Sequence, residues 1–383
     1  MSPLAWVMLA FLVGLIASTL DVVLGTRRLE RLEEQAPREP SGAPLVSLVV
    51  AARNEARGIE AAARSLLAQR YSPYEIIAVD DRSTDATGEI LERLAAADGR
   101  LSVVHVRELP PGWLGKNHAL AVGAAAARGA WLLFTDADVV MEPETVARAI
   151  GLAERRGLDH VAALPHFQMR GLLLQAFITY FVCWGLMILR PWKVRDPRSR
   201  RSAGVGAFNL VRATAYAKAG GHAPIRLRPD DDLKLGKILK RSGARSEVVL
   251  GTELISVEWY HSLGELITGL MKNSFSLVEY HAVLMLGGVP LYLGLGLGPL
   301  AALLLGRGAL QWLAGTAVAV QLGFLLWGTW KTRVPRRSAL LYPVISVLFA
   351  WIILRALVLN LAQGGIVWRG TFYPLSELRR NKV

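Results

Sequence analysis

The chain has 383 residues, of which 52% are hydrophobic and only 20% are charged. This balance excludes a disordered or collagen-like chain and indicates a membrane component. Lys and Arg outnumber Asp and Glu by 44 to 31, and the resulting net charge of +13 suits an anionic bilayer surface, a phosphate-bearing ligand or nucleic acid. The single cysteine, Cys183, excludes an internal disulfide and a cysteine-based zinc site.

The apolar residues are concentrated in four long runs. The first, at 4–24, is long enough to cross a bilayer and lacks the basic residues that open a signal peptide. Residues 1–25 are therefore predicted to form a retained N-terminal transmembrane anchor. Residues 282–366 are predicted to form a C-terminal transmembrane cluster of about three helices, followed by a basic tail at 367–383. The three apolar runs of this cluster are 282–305, 309–330 and 339–362.

Charged residues near these runs predict the orientation in the membrane. The basic residues after residue 24 and those in the 331–337 loop place both segments in the cytoplasm under the positive-inside rule. We therefore predict an integral protein of the cytoplasmic membrane whose soluble domain is cytoplasmic. Arg355 lies within the last run, where a charge costs about 2.5–3.5 kcal/mol, so this run is predicted to be tilted, broken or re-entrant. The sequence does not predict on which side of the membrane the C-terminus lies.

The middle of the chain, residues 45–281, is predicted to be an α/β domain, and a proline-containing linker at 26–44 precedes it. Short apolar strands alternate with amphipathic helices, a pattern typical of a mostly parallel sheet with crossover helices. The predicted strands are 45–52, 75–79, 101–106 and 131–135, and the predicted helices are 59–69, 85–97 and 118–128.

A further apolar segment at 172–190 is nearly long enough to span a bilayer. If it crossed the membrane, the acidic motifs before and after it would face opposite sides. An interfacial helix, or one packed on the α/β domain, leaves these motifs free to share one site. We favour the interfacial or packed interpretation for this reason.

Acidic residues follow three of the predicted strands. Glu55 follows the first strand together with Arg53, Asp81 follows the second, and Asp136 and Asp138 follow the fourth. Ligands of such sheets bind at the carboxyl ends of the strands, and an Asp-x-Asp pair suits a hard divalent cation that also binds phosphate. Neither a Walker loop nor a Gly-x-Gly-x-x-Gly turn follows the first strand. The sequence therefore predicts a nucleoside diphosphate held through a metal ion and through its base.

A second acidic cluster consists of Asp230, Asp231 and Asp232 at the start of a predicted helix. Carboxylates at a helix N-terminus are stabilised by the helix dipole, so a purely structural role is one interpretation. Three adjacent acids also repel one another, and a partly desolvated carboxylate is a candidate general base.

These motifs, in this order, resemble the signature of family 2 glycosyltransferases with a GT-A fold. The resemblance covers residues from about 45 to 280. The membrane segments make the chain similar to the membrane-embedded branch that includes ceramide glucosyltransferase-like and hopanoid- or carotenoid-associated enzymes. The segments that carry the resemblance are VVAARNE at 49–55, VDDRSTD at 79–85, DAD at 136–138 and DDLKLG at 231–236, with GWLGKN at 112–117 and GVGAF at 204–208 in support.

The resemblance implies an inverting transfer of one sugar from a nucleotide-diphosphate sugar, with a UDP-sugar as the expected donor, to a hydroxyl of a membrane lipid. It implies Mg²⁺ or Mn²⁺ as the cofactor, and the lipid acceptor and the bilayer as partners. The implied residues are Arg53, Glu55, Asp81, Lys116 and Asp136 for the donor nucleotide, Asp138 for the metal, Asp232 with Asp231 for catalysis, and Gly206, Phe208 and Lys272 for the acceptor or phosphate. His261 is a candidate third metal ligand, with a structural or exposed role as the alternative.

The chain departs from the polymer synthases of this family at one motif. These enzymes carry Gln-x-x-Arg-Trp on an interfacial helix, whereas residues 269–275 contain no Arg-Trp pair. Transfer of one sugar is therefore favoured over the alternative, a processive polysaccharide synthase. Lys272 either replaces the missing arginine or lies at the membrane interface.

The sequence also bears on two further function classes. A catalytically inactive subunit that binds a sugar nucleotide is the remaining alternative to an enzyme. Nucleic-acid binding is not expected, because the basic residues flank the apolar runs and no recognition motif is present.

Overall fold

The computed structural model describes residues 1–39, 41–276 and 278–383, apart from the side chains of residues 272 and 273. The chain divides into two compact units. The helical unit comprises Met1–Arg27, Met169–Arg190 and Trp259–Arg380, and the sheet unit comprises Arg28–Gln168, Pro191–Glu258 and Asn381–Val383. The division differs from the predicted boundaries, because segments around 172–190 and 259–281 belong to the helical unit.

The strands of the sheet unit form two sheets. Their bounds are β1 Val46–Ala52, β2 Tyr74–Asp81, β3 Leu101–Val106, β4 Trp131–Asp136, β5 Val139–Met141, β6 His160–Leu164, β7 His166–Gln168, β8 Asn209–Arg212, β9 Ser246–Leu250 and β10 Ile255–Glu258. The larger sheet has the order β3-β2-β1-β4-β8-β6-β9, and the smaller one has the order β5-β10-β7. In the larger sheet β8 runs antiparallel to both neighbours, and every other pair is parallel. The predicted, mostly parallel sheet is confirmed.

Helices cover both faces of the larger sheet. Those of the sheet unit are α2 Ile59–Leu67, α3 Thr87–Ala97, α4 Gly115–Ala126, α5 Thr145–Arg156, α7 Ala213–Lys218 and α8 Asp231–Arg241. Leu48 and Val50 of β1 pack into a core with α2, α3 and α5, whereas Val49 packs into a second core with α4 and α8. This alternation follows from the two-residue period of a strand buried on both faces. The three predicted crossover helices are confirmed.

The helical unit contains the long apolar helices. Its elements are α1 Pro3–Thr26, α6 Leu172–Leu189, α9 Leu263–Ser276, α10 Ala282–Leu305, α11 Ala309–Thr332, α12 Tyr342–Ala362 and α13 Leu375–Leu378, with a hairpin of β11 Gly365–Trp368 and β12 Thr371–Pro374. Within the described residues, five helices are long and apolar enough to cross a membrane: α1, α6, α10, α11 and α12. The sequence predicted four of them and favoured an interfacial or packed role for α6.

The last of these helices contains the charged residue singled out in the sequence. α12 is continuous through Arg355, so the helix is not broken there. The Arg355 guanidinium lies 5.4 Å from the ring centroid of Trp351, one helical turn earlier. The aromatic ring therefore offers the charge a cation–π partner on its own helix.

Two glycines allow α8 to approach the preceding extended segment closely. A Cβ at Gly236 of α8 would overlap the carbonyl oxygen of Ala203, and a Cβ at Gly204 would overlap the carbonyl oxygen of Asp232. Both obstacles are backbone atoms, which cannot rotate away as a side chain can. The two glycines therefore fix the distance between α8 and this segment.

We expect Gly236→Ala to destabilise the sheet unit by about 1–3 kcal/mol, although alanine normally favours a helix interior. The added methyl group forces α8 away from residues 203 and 204. The measurement is the thermal unfolding midpoint of the full chain in detergent, followed by tryptophan fluorescence. Gly99→Ala is the matched control, because a Cβ at Gly99 meets no atom within 4 Å. Equal midpoints for the two variants would contradict this account.

Candidate active site

The acidic residues predicted from the strand ends lie along one edge of the sheet. Asp81 is the last residue of β2, and Asp136 is the last residue of β4. Both strands pair in parallel with β1, which lies between them and leads into Arg53 and Glu55. The side chains therefore gather where a parallel sheet binds its ligands.

Asp81 forms the centre of an arginine-rich corner. Its side chain is almost fully buried and accepts two hydrogen bonds from Arg82, from Nε at 2.8 Å and from Nη2 at 3.0 Å. Arg53 Nη1 lies 4.0 Å from Asp81 Oδ2. A Cβ at Gly115 would overlap Asp81 Oδ2, so glycine is required for α4 to start this close to the carboxylate. The sequence identified Arg53 and Asp81 but missed Arg82, whose signal was only its position next to Asp81.

Lys116 connects the two acidic clusters. Its Nζ lies 2.7 Å from Asp136 Oδ1 and 3.4 Å from Asp231 Oδ2. Burial alone lowers the pKa of Lys116, but the charges of Asp136, Asp231 and Asp232 outweigh this effect and raise the pKa above its ordinary value. The lysine therefore stays charged, and clusters that are 95 residues apart in sequence share one cation.

Asp232 is held by backbone donors. Its Oδ2 accepts a hydrogen bond from the Gly206 N–H at 2.9 Å, and its Oδ1 accepts one from the Leu233 N–H at 2.8 Å. Gly206 also accepts a bond from the Asp136 N–H through its carbonyl oxygen, at 3.1 Å. A Cβ at Gly206 would lie 2.6 Å from Asp136 Oδ2, so a larger residue there would force the Asp136 carboxylate to move.

The environment of Asp232 makes its carboxyl group a suitable proton acceptor. Burial, and then the charge of Asp231, raise the pKa of Asp232 to about 7, while Lys116 acts in the opposite direction. A carboxyl group with this pKa is partly deprotonated at neutral pH and takes up a proton more readily than an ordinary aspartate.

Asp138 lies between β4 and β5, next to Gly58. Burial, followed by the charges of Asp136 and Glu55, raises the pKa of Asp138 to about 7. The Glu55 backbone N–H donates to Thr87 Oγ1 at 2.8 Å, which fixes the turn after β1. The negative charges of Asp136 and Glu55 thus act on a buried carboxyl group, and a bound cation would offset this repulsion.

The donor set fits a magnesium-type ion that completes its shell with ligand phosphates. In the described part of the chain no three His, Cys, Asp or Glu side chains are arranged to enclose a metal by themselves. Mg²⁺ in nucleotide sites commonly uses one or two carboxylates, with substrate phosphates and water as the other ligands. Asp138 and Asp136 supply such a pair of carboxylates.

Two residues that the sequence analysis missed hold the loop before Asp231. Asn117 Nδ2 donates to the carbonyl oxygens of Ile225, Arg226 and Arg228, at 2.8, 3.3 and 2.9 Å. Arg228 is fully buried and donates two hydrogen bonds to Asp230, at 3.0 and 3.2 Å. The only sequence signals were the positions of Asn117 beside Lys116 and of Arg228 before the acidic run.

Three predicted site residues lie elsewhere or cannot be assigned. Phe208 is fully buried in the core between the sheet and α5, and an acceptor contact by this residue stays a prediction. His261 belongs to the helical unit, where its backbone N–H donates to Glu265 Oε2 at 2.9 Å. The side chain of Lys272, on α9, lies outside the described residues. Metal binding by His261 and phosphate binding by Lys272 stay predictions.

Comparison with known proteins gives a partial match in sequence. Residues 47–174 match the profile of Glycosyl transferase family 2. The uncharacterized glycosyltransferase EpsJ of Bacillus subtilis is 37% identical over 118 residues, which cover 31% of this chain and 33% of EpsJ. The succinoglycan biosynthesis protein ExoO of Rhizobium meliloti is 37% identical over 115 residues, which cover 30% of this chain and 31% of ExoO. The chain thus spans about a third of the length of these curated relatives.

A solved structure is similar over most of the chain. It is the mannosyltransferase PcManGT of Pyrobaculum calidifontis in complex with GDP-Man and Mn²⁺, with a TM-score of 0.58, 19% identity, and coverage of 90% of this chain and 99% of that one. At this identity the similarity shows the fold. Residues 47–174 of the chain are therefore similar to Glycosyl transferase family 2, and the chain has the α/β, GT-A-like fold that its motifs implied.

Proposed function

We propose that this protein is a metal-dependent, inverting glycosyltransferase that moves one sugar from a nucleotide-diphosphate sugar to a hydroxyl of a membrane lipid. The observation that carries the proposal is the position of Lys116 between Asp136 and Asp231. Through this lysine the acids at the end of β4 and those at the start of α8 form one site. The family 2 match over residues 47–174 supports the reaction class.

The residues divide into a donor side and an acceptor side. Arg53, Glu55 and Asp81 bind the nucleoside, and Asp136 and Asp138 would hold the Mg²⁺ or Mn²⁺ ion. When bound, the metal neutralises negative charge on the leaving diphosphate. The similarly folded mannosyltransferase was solved with GDP-Man and Mn²⁺, which supports a sugar nucleotide and a divalent ion here. UDP is the nucleotide that we expect for this chain.

Asp232 acts on the acceptor side as the general base. It accepts the proton of the lipid hydroxyl while the hydroxyl oxygen attacks the anomeric carbon. The bond from this carbon to the diphosphate oxygen breaks, and its electron pair leaves with the nucleoside diphosphate. Because the attack comes from the face opposite the leaving group, the anomeric configuration inverts. The hydrogen bonds from Gly206 and Leu233 orient Asp232 for this step.

The helical unit supports a lipid acceptor. Its five long apolar helices expose large hydrophobic side chains, including Val283, Leu305 and Trp312, each more than 80% accessible. Such surfaces are stable in a bilayer and unfavourable in water. We therefore propose location in the cytoplasmic membrane, with the sheet unit in the cytoplasm. The excess of Lys and Arg over Asp and Glu would then also favour contact with anionic lipids.

Membranes that contain the full-length protein should convert a radiolabelled sugar nucleotide into a labelled lipid when Mg²⁺ or Mn²⁺ is present. The assay compares a panel of UDP- and GDP-sugars, and mass spectrometry identifies the lipid and the number of sugars added. We expect one added sugar. A ladder of longer products would instead indicate a processive polysaccharide synthase, and label in no product with any donor would contradict the proposal.

Asp138→Ala should lower transfer by about 100- to 1000-fold, because the charge of the diphosphate is no longer balanced. The same variant should lose Mn²⁺ binding in the presence of UDP, measured by electron paramagnetic resonance. Asp98→Ala is the control, since Asp98 directly follows α3, before β3 begins, and pairs with Arg100. Normal Mn²⁺ binding by Asp138→Ala would show that the metal site is elsewhere.

Asp232→Asn should lower kcat by about 100- to 10,000-fold and leave the Kd for the donor unchanged. The amide oxygen of the new side chain can still accept a hydrogen bond from Gly206, so the loop should keep its position. Donor binding is measured by calorimetry, and kcat is measured at saturating donor and acceptor, with Asp98→Asn as the control. A near-normal kcat would refute the role of Asp232 as the base.

A further inference from the structure

The loop that leads into α8, residues 223–230, is bound by a side-chain amide that has no part in the proposed reaction so far. Asn381 belongs to the sheet unit and lies 154 residues after Leu227 in the chain. Its Oδ1 accepts a hydrogen bond from the Leu227 N–H at 3.1 Å, and its Nδ2 donates one to the Pro224 carbonyl oxygen at 2.9 Å. One side chain therefore pairs with both a donor and an acceptor of this loop.

The residues next to Asn381 are attached to α8 itself. Lys237 Nζ of α8 donates to the main-chain oxygen of Val383 at 2.7 Å. The Val383 side chain packs against the core that contains Leu235 of the same helix. Because neither contact involves the side chain of Asn381, these contacts bring its amide to the loop independently of the two hydrogen bonds that it forms there.

The helix α4 holds other polar groups of the same loop. Asn117 of α4 donates to the carbonyl oxygens of Ile225, Arg226 and Arg228. Asn381 bonds to residues 224 and 227, so the two asparagines share the main-chain groups of the loop between them. The conformation of the loop therefore depends on residues 381–383 as well as on α4.

The loop ends at the acids of the proposed site. Buried Arg228 donates two hydrogen bonds to Asp230, and Asp231 and Asp232 follow as the first residues of α8. A shift of the loop would thus be transmitted along the chain to Asp232. A displacement of about 1 Å in a reacting group can lower a rate about 100-fold.

We propose that Asn381 is a positioning residue for Asp232: its amide fixes the loop at 223–230 and thereby the start of α8. Asn381 acts through the loop and takes no part in binding the donor, the metal or the acceptor. Its effect on sugar transfer rests on the proposed function. Its effect on the loop rests on the two hydrogen bonds alone and is measured separately.

Amide hydrogen exchange of the full chain in phosphatidylcholine nanodiscs tests the effect on the loop. Asn381→Leu removes both hydrogen bonds with little change in side-chain size, and peptides covering 223–232 should exchange about 5- to 10-fold faster. Peptides covering β1 should exchange at the normal rate, which shows that the sheet unit is folded. Lys382→Leu is the matched control, because Lys382 is the next residue and is exposed. Equal exchange of 223–232 in both variants would overturn the proposal.

Kinetic measurements test the effect on transfer. Asn381→Leu should lower kcat by about 10- to 100-fold and leave the Kd for the donor nearly unchanged, because the loop carries residues of the acceptor side. A residue that only stabilised the fold would leave the kcat of the folded chain unchanged. Faster exchange of the loop with a normal kcat would therefore overturn the positioning role.

A conservative variant tests whether the amide group is responsible. Asn381→Gln keeps both the donor and the acceptor, and position 381 is partly exposed, which leaves room for the longer side chain. We expect it to recover most of the exchange protection and most of kcat. Equal losses in the Gln and Leu variants would contradict the proposal. Absence of transfer in the unmodified chain would instead refute the proposed function, and the exchange experiment would still decide whether Asn381 holds the loop.

Discussion

The candidate active site depends on the burial and mutual repulsion of its carboxylates. Lys116 contacts Asp136 and Asp231 directly, whereas burial and neighbouring carboxylates raise the pKa values of Asp138 and Asp232. Carboxylates that are both desolvated and close together ionise with difficulty, which is the physical cause of the raised pKa values. A metal ion with its diphosphate, and the proton of an acceptor hydroxyl, are the species that such a site is suited to receive. The raised pKa values and the proposed chemistry thus have the same cause, which is that the carboxylates are buried and close together.

Backbone proximity makes this arrangement possible. Gly206 lies between Asp136 and Asp232 and bonds to both through its main chain, and a side chain at this position would meet the first carboxylate. Gly204 and Gly236 allow the segment before β8 to contact α8 directly. Because the donors to the Asp232 carboxylate are main-chain N–H groups, their positions are set by the fold and do not depend on the rotamers of neighbouring side chains. Such preorganisation is what a proton acceptor needs in order to act without first being reoriented.

Local patterns predicted the strands, the crossover helices and the edge at which the acids gather, because hydrophobic periodicity and the geometry of parallel sheets determine these features. Contacts between segments that are far apart in the sequence could not be predicted from such local patterns. No residue near Asn117 in the sequence indicates that its amide bonds to carbonyl groups of residues 225–228. Arg228 is fully buried, although an arginine is normally expected at the surface. The side chain of Phe208 is buried in the core, which the motif did not indicate, since a motif identifies a residue but not the direction of its side chain.

The helical unit follows the same rule, that polar groups away from water need partners. Tyr180 bonds to Ser346 at 3.0 Å, Thr179 bonds to Thr332 at 3.0 Å, and Arg355 lies near an aromatic ring. In hydrocarbon a polar group cannot form a hydrogen bond to water, so the polar groups of membrane helices generally bond to one another. Thr179 and Tyr180 are neighbours on α6, and their partners lie on α11 and α12. The two bonds therefore hold α6 against both helices, because losing either would leave unsatisfied polar groups between apolar side chains.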